Sequence, residues 1–119
     1  MSYSPMTRYL KSLKDKLAIL GLPIYFKLPD VSVSEPFLVI GANSSDTSQT
    51  AQTGPMIEVV TISVDVFLSN VSRTEAEEMK SRAIRVLGRS RKIFANVILD
   101  DSVGREVYHI ALTISDIIY

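Results

Sequence analysis

Residues 57–69 have the sequence IEVVTISVDVFLS, in which apolar and polar side chains alternate from position 60 onward. A period of two is typical of a β-strand that buries one face and exposes the other to water. This stretch therefore predicts a strand whose apolar face needs a cover of further apolar side chains. The residues of that face are Val60, Ile62, Val64, Val66 and Leu68.

Three residues of the same stretch do not fit the alternation. Ile57, Val59 and Phe67 are apolar, but they share their parity with the polar residues. The strand either contains a bulge or packs this second face against another surface, such as a neighbouring subunit. We therefore take these three residues as candidate interface residues.

A helix is predicted after this strand. Ser72 and Glu75 have the spacing of a capping box, and Glu77 and Glu78 add negative charge where it favours a helix N-terminus. The apolar residues that follow recur at helical spacing and form one stripe. They are Ala76, Met79, Ala83, Val86 and Leu87.

The N-terminal segment predicts another amphipathic helix. Ser4 and Pro5 are typical of a helix start, and Gly21 followed by Pro23 is typical of a helix end near residue 20. Between them lies an apolar stripe at steps of four and three. Its members are Met6, Leu10, Leu13, Leu17 and Leu20.

Two β-prone runs, 24–28 and 37–40, precede a polar segment. Residues 41–55 offer almost no apolar surface to offset the entropy of ordering them, so we predict a long mobile loop there. Such loops are uncommon in compact domains unless they are functional or disordered. The polar residues proposed to contact a partner are Asn43, Ser45, Asp46, Gln49 and Gln52.

The C-terminal part predicts a hairpin, because apolar residues alternate over 93–99 and again over 108–114, with a turn-rich stretch between them. The predicted order is helix, strand, strand, long loop, strand, helix, strand, strand. Two helices on one face of a mostly antiparallel sheet of about five strands would cover the apolar stripes. We expect residues 1–119 to form a single α+β domain.

Composition excludes several classes of protein. The chain has 119 residues with 13 basic and 13 acidic side chains, so no overall charge attracts nucleic acid or an anionic membrane. It lacks cysteine, which excludes disulfides, thiolate nucleophiles and the usual zinc sites. Apolar runs are too short for a membrane span, and the charged N-terminal segment does not fit a signal peptide.

The residue inventory predicts neither an enzyme nor a cofactor or metal site. His109 is the only histidine, on the polar parity of the last strand, and is expected to be a surface or interface residue. Asp100 and Asp101 precede Ser and Gly, as turn residues do, and lack the spacing of a calcium or magnesium site. The five glycines form no phosphate-binding loop.

Basic residues cluster in the second half of the second predicted helix and in the loop after it. A solvated helix face explains this cluster, since positive charge favours a helix C-terminus. Salt bridges to a neighbouring subunit and weak contact with a nucleic acid backbone are the alternatives. The residues of this candidate charged-contact or lumen face are Arg82, Arg85, Arg89, Arg91 and Lys92.

The order of elements resembles the tail terminator or head-to-tail joining proteins of long-tailed phages. The resemblance covers nearly the whole chain and includes Leu20-Gly21-Leu22-Pro23-Ile24-Tyr25 and Glu35-Pro36-Phe37-Leu38-Val39-Ile40-Gly41. It implies a ring, usually hexameric, that stops growth of the tail tube and presents a docking surface to the head connector. The implied location is the head-proximal end of the virion tail, after assembly in the host cytoplasm.

The partners implied by this resemblance are further copies of the chain, the tail tube protein and the head connector or neck protein. DNA would lie nearby without being bound specifically, and no membrane is involved. A ring would also explain the out-of-phase apolar residues as a contact between neighbours. The alternative is a small α+β binding module that recognises a peptide, nucleotide or RNA through an exposed sheet edge or face.

Overall fold

A computed structural model describes residues 4–30, 32–46, 58–69, 72–88, 92–101 and 106–118. These form two α-helices, one short 3-10 turn and five strands, which confirms the predicted α+β class and the order of the elements. The elements are α1 (Pro5–Leu17), the 3-10 turn (Ala18–Leu20), β1 (Ile24–Tyr25), β2 (Phe37–Asp46), β3 (Glu58–Leu68), α2 (Arg73–Leu87), β4 (Lys92–Asp100) and β5 (Val107–Ile118).

The helix ends have the predicted local chemistry. Ser4 Oγ accepts a hydrogen bond from the Thr7 backbone N–H at 3.2 Å, and Ser72 Oγ accepts one from the Glu75 N–H at 3.2 Å. Gly21 closes the 3-10 turn with φ of 77°, a conformation that favours glycine. No helix in the described part of the chain is long and apolar enough to cross a membrane.

The strand that dominates the sequence pattern lies at the centre of the sheet. The strand order is β1-β2-β3-β5-β4, and β3 pairs antiparallel with both β2 and β5. The predicted C-terminal hairpin is the antiparallel pair β4 and β5. Only the two-residue β1 runs parallel to its neighbour among the described strands, so the sheet is mostly antiparallel.

Both helices cover one face of this sheet. Leu13 and Leu17 of α1 are fully buried, and so are the apolar residues at alternate positions of β3. One core cluster contains side chains of both helices and of β2, β3 and β5. Burial of apolar area is the main favourable contribution to folding, so the core between the helices and the sheet contributes most to the stability of the chain.

The polar segment after residue 40 starts as a strand and not as a loop. β2 continues to Asp46, and its residues 43–46 pair with residues 62–59 of β3. Backbone hydrogen bonds to β3 order this part without apolar side chains, which is why polar composition did not predict it. Residues 41–46 therefore do not belong to the predicted loop, and its remaining residues, 47–55, lie outside the described part of the chain.

A bulge interrupts the pairing of β2 with β3. Ile40 pairs with Val64 and Asn43 with Ile62, so β2 contributes one extra residue. The register between β3 and β5 is continuous, so the irregularity lies in β2, and a bulge in β3, which was one of the two sequence explanations, is not found between residues 58 and 68. At the bulge, a Cβ added to Gly41 would lie 2.6 Å from Ser63 Oγ.

We expect Gly41→Ala to lower the free energy of unfolding by about 1 to 2 kcal/mol, because the added methyl group crowds Ser63. Urea denaturation would measure the loss. In a Ser63→Ala background the clash is relieved, so the same glycine substitution should cost clearly less there. An equal cost in both backgrounds would show that contact with the Ser63 hydroxyl is not the reason for glycine.

Candidate functional site: the helix-free face of the sheet and its edges

The face of the sheet opposite the helices, here called the open face, has a small core of its own. It carries the alternate side chains of β2 to β5 that include Asp65, Phe67, Phe94 and His109. Part of it is shielded from water by a second apolar cluster. The buried members of this cluster are Phe37, Val39, Phe67 and Val107, with Tyr25 and Val33 packed against them.

A row of rings crosses the open face perpendicular to the strands. The ring of Tyr25 on β1 meets Phe37 on β2 edge to face, with centroids 6.0 Å apart. Phe37 stacks on Phe67 of β3 at 5.1 Å, and Phe67 stacks on the imidazole of His109 of β5 at 4.4 Å. Such aromatic pairs add about 0.5 to 1.5 kcal/mol each beyond burial, so the row ties four strands together.

The imidazole at the end of this row is held by two carboxylates. His109 Nε2 lies 2.6 Å from Asp65 Oδ1 on β3, and Nδ1 lies 2.8 Å from Asp100 Oδ2 at the end of β4. A carboxylate only accepts hydrogen bonds, so both contacts are satisfied when both ring nitrogens carry a proton. The geometry therefore fits the imidazolium form, which bridges β3, β5 and β4.

Electrostatics favour the same charged form. Burial of the ring lowers the pKa of His109, but the hydrogen bonds and negative charges of Asp65 and Asp100 outweigh burial and raise this pKa above its ordinary value. The side chain is 15% exposed, and the two carboxylates are 25% and 19% exposed. Solvent therefore screens the bridge only in part.

These contacts bear on two sequence expectations. His109 was expected at the surface or at an interface, and within the single chain it is not a freely exposed surface residue, since it is 15% exposed and lies between two acids. Asp100 is the last residue of β4 and contacts His109, where the sequence suggested a turn residue. Both ring nitrogens are occupied, so the cluster positions strands and offers no free base to a ligand.

The candidate interface residues on β3 lie in different surroundings. Phe67 is 4% exposed because Phe37 and His109 cover it, so it is part of the chain's own packing and not an exposed contact residue. Val59 is half-buried and lies across from Ile117, which is 49% exposed. Ile57 lies outside the described residues.

The polar candidates fall near the end of β2. Asn43 and Ser45 are exposed and belong to the strand, and the backbone of Asp46 closes it. The structure therefore brings these residues together along one edge of the sheet. Gln49 and Gln52 lie outside the described part of the chain.

The basic candidates are only partly described. Arg82 and Arg85 are exposed on α2 and Lys92 is exposed at the start of β4, while Arg89 and Arg91 lie outside the described residues. The sequence pattern did not indicate the contribution of α1, which contacts α2 and is itself basic. Its charged side chains are Arg8, Lys11, Lys14 and Lys16, with Asp15 as the single acid.

The two edges of the sheet differ. At one edge β1 pairs with β2 only at Leu38 and Val39, so the bulged, polar end of β2 has no strand beside it among the described residues. At the other edge β4 has no described strand on its outer side. That edge is apolar, since Phe94 is 66%, Leu99 54% and Ile98 45% exposed.

Comparison with known proteins gives a match of fold. No protein-family model matches this chain, and no curated protein matches its sequence. Among solved structures, it is similar to a chain of "Virion of native gene transfer agent (GTA) particle", with a TM-score of 0.73 and 15% sequence identity. The match covers 98% of this chain and 98% of that chain, so the two share a fold over their full lengths.

Proposed function

We propose that this chain is a structural protein of a phage or phage-like particle, in which it forms a ring that ends the tail tube and joins it to the head connector. The observation that carries the proposal is the fold, which matches a chain of a gene transfer agent virion over 98% of both chains. The resemblance of the element order to tail terminators supports the finer role and a hexameric ring.

Two physical features suit a ring. A ring needs a contact between two different surfaces of the same chain, and the polar end of β2 and the apolar β4 provide two unlike sheet edges. The basic helix layer, with Arg82 and Arg85 of α2 beside α1, would suit a lumen through which DNA passes. Contact with DNA there would be weak and independent of sequence.

The proposed role needs no catalysis and no cofactor. Its partners are copies of the chain, the tail tube protein and the head connector, at the head-proximal end of the tail. The histidine bridge then serves to keep the open face rigid, because it joins strands of a surface that must fit a partner. No membrane takes part in this role.

The test is to add the purified chain to tail tubes assembled from the tube protein of the same particle. We expect electron microscopy to show rings on tube ends and tubes that stop growing, whereas tubes without the chain continue to lengthen. The matched variant Arg82→Glu with Arg85→Glu, which changes the proposed lumen only, should still cap tubes. Tubes that grow equally with and without the chain would contradict the proposed role.

The exposed edge of β4 favours one other candidate function. A small binding module would add an extended peptide to this edge as a further strand, and the exposed Phe94 and Ile98 would give it apolar contacts. This function predicts a stable monomer that binds a peptide with saturation and leaves tube ends uncapped. The capping experiment therefore separates the two functions.

A further inference from the structure

β4 has an internal symmetry about its central residue. Its sequence is Lys-Ile-Phe-Ala-Asn-Val-Ile-Leu-Asp, with a basic residue at the start, an acidic one at the end and Asn96 at the centre. When two such strands run antiparallel about Asn96, each residue meets one of matching chemistry. The opposed residues are Lys92 and Asp100, Ile93 and Leu99, Phe94 and Ile98, Ala95 and Val97, and Asn96 and Asn96.

We propose that, in the free protein, a second copy of this chain pairs with β4 in this register. The two five-stranded sheets would join into one continuous sheet with a twofold axis at Asn96. The inference goes beyond the proposed function and does not depend on it. Its occupant is the same chain, because β4 opposed to itself matches apolar residues with apolar ones and Asn96 with Asn96, and it brings Lys92 near Asp100, whose carboxylate also contacts His109 of its own chain.

The pairing is consistent with strand geometry. Directly opposed residues of antiparallel strands point to the same face, so Phe94 and Ile98 of the two copies would cover each other on the open face. These side chains are 66% and 45% exposed in the single chain. The register between β4 and β5 has no bulge, so the outer edge of β4 is regular enough to accept a strand.

β4 also lacks the features that normally prevent edge pairing. Exposed edges are commonly protected by proline, by a bulge or by a central charge, and β4 has none of these between Ile93 and Leu99. The opposite edge of the sheet is different, because β2 carries the bulge after Ile40. Self-pairing is therefore expected at β4 and not at β2.

The proposed dimer is weak and reversible. Paired single strands bury less than the roughly 1,000 Å² that a stable interface needs, so the dimer should appear only at high protein concentration. One edge accepts one strand at a time, so the dimer would occupy β4 until another partner displaces it. This would keep a ring from closing through β4 in solution.

Charge substitution at the symmetry axis tests the register. Asn96→Glu puts two carboxylates opposite each other and Asn96→Lys puts two ammonium groups there, so each variant should dimerise about fivefold more weakly than the parent chain. An equimolar mixture of the two variants should regain dimers, because unlike charges then face each other. Sedimentation velocity across a concentration series measures all three samples.

The same charges at Thr113 are the matched control. Thr113 is exposed on the open face, but it lies on β5, one strand away from the edge. Thr113→Glu and Thr113→Lys should dimerise like the parent chain, and mixing them should change nothing. The proposal would be overturned if the parent chain stays monomeric. It would also be overturned if the mixture of the two Asn96 variants dimerises no more strongly than each variant alone.

Cysteine substitution provides a second measurement, since the native chain contains no cysteine. Opposed residues of antiparallel strands have Cα atoms about 4.5 to 5.5 Å apart, within reach of a disulfide. Asn96→Cys should therefore form a covalent dimer under mild oxidation. Thr113→Cys should stay monomeric, because about three strand spacings would separate the two thiols; equal cross-linking of both variants would contradict the register.

Discussion

Replacing Phe67 with alanine is expected to lower the free energy of unfolding by about 3 to 5 kcal/mol, the usual cost of removing a buried phenyl ring. Phe67 is 4% exposed and stacks on Phe37 and on His109. Its removal would leave a cavity in the middle of the aromatic row and break two ring contacts at once. Urea denaturation followed by circular dichroism measures the change.

Phe94→Ala is the matched control, because it removes the same side chain from the same face of the sheet. Phe94 is 66% exposed, so its loss should change the free energy of unfolding by less than about 1 kcal/mol. Comparing the two variants distinguishes side chains of the open face that stabilise the fold from those that are exposed to a partner. Equal effects of the two substitutions would contradict the description of a second core around Phe67.

His109→Ala is the substitution with the second largest expected effect, about 2 to 4 kcal/mol at pH 6. It removes two charge-assisted hydrogen bonds and leaves the carboxylates of Asp65 and Asp100 half-buried without their common donor. It also removes the ring that stacks on Phe67. The loss should be smaller at pH 9, where the native ring is less protonated.

The sign of this pH dependence follows from linkage. The pKa of His109 is raised in the folded chain, so the folded state holds the proton more tightly than the unfolded state. Its stabilising contribution is complete below the unfolded pKa of about 6.5 and is lost as the pH rises through the raised folded pKa. Denaturation midpoints of the native chain should therefore fall as the pH is raised from 6 to 9.

His109→Phe is the sharper variant for this experiment. A phenyl ring retains the stacking surface but cannot be protonated, and His109 is the only histidine of the chain. The variant should lose the fall in stability that the native chain shows over this interval. If both proteins have the same pH profile, the histidine bridge does not contribute in the way its geometry indicates.

Much of the fold could be predicted from the sequence because local patterns determine it. The alternation around Val64 identified the central strand, and Ser72 with Glu75 identified the start of α2. The strand between Gly41 and Asp46 could not be predicted, because its order comes from backbone pairing with β3 and leaves no apolar pattern. Polar composition alone does not distinguish a paired strand from a loop.

The candidate site could be predicted only in part, for a related reason. Phe67 was identified as anomalous, but the residue that explains it, His109, is forty-two positions further along the chain and meets it only through the register of β3 with β5. The bridge to Asp65 and Asp100 depends on the same register. A single sequence gives the parity of a residue on its strand, but it does not give the cross-strand neighbour.

The pairing of β3 with β5 also has a consequence for how the chain is made. Leu68 pairs with Tyr108 and Glu58 with Ile118, so the central ladder joins segments that leave the ribosome far apart in time. During that interval β2, α1 and α2 are the neighbours already synthesised that can cover β3. Closing the distant ladder is slow because its loop entropy must be overcome first. Synthesis from the N-terminus therefore favours an order in which β2, β3 and the two helices associate early and the β4–β5 hairpin docks last.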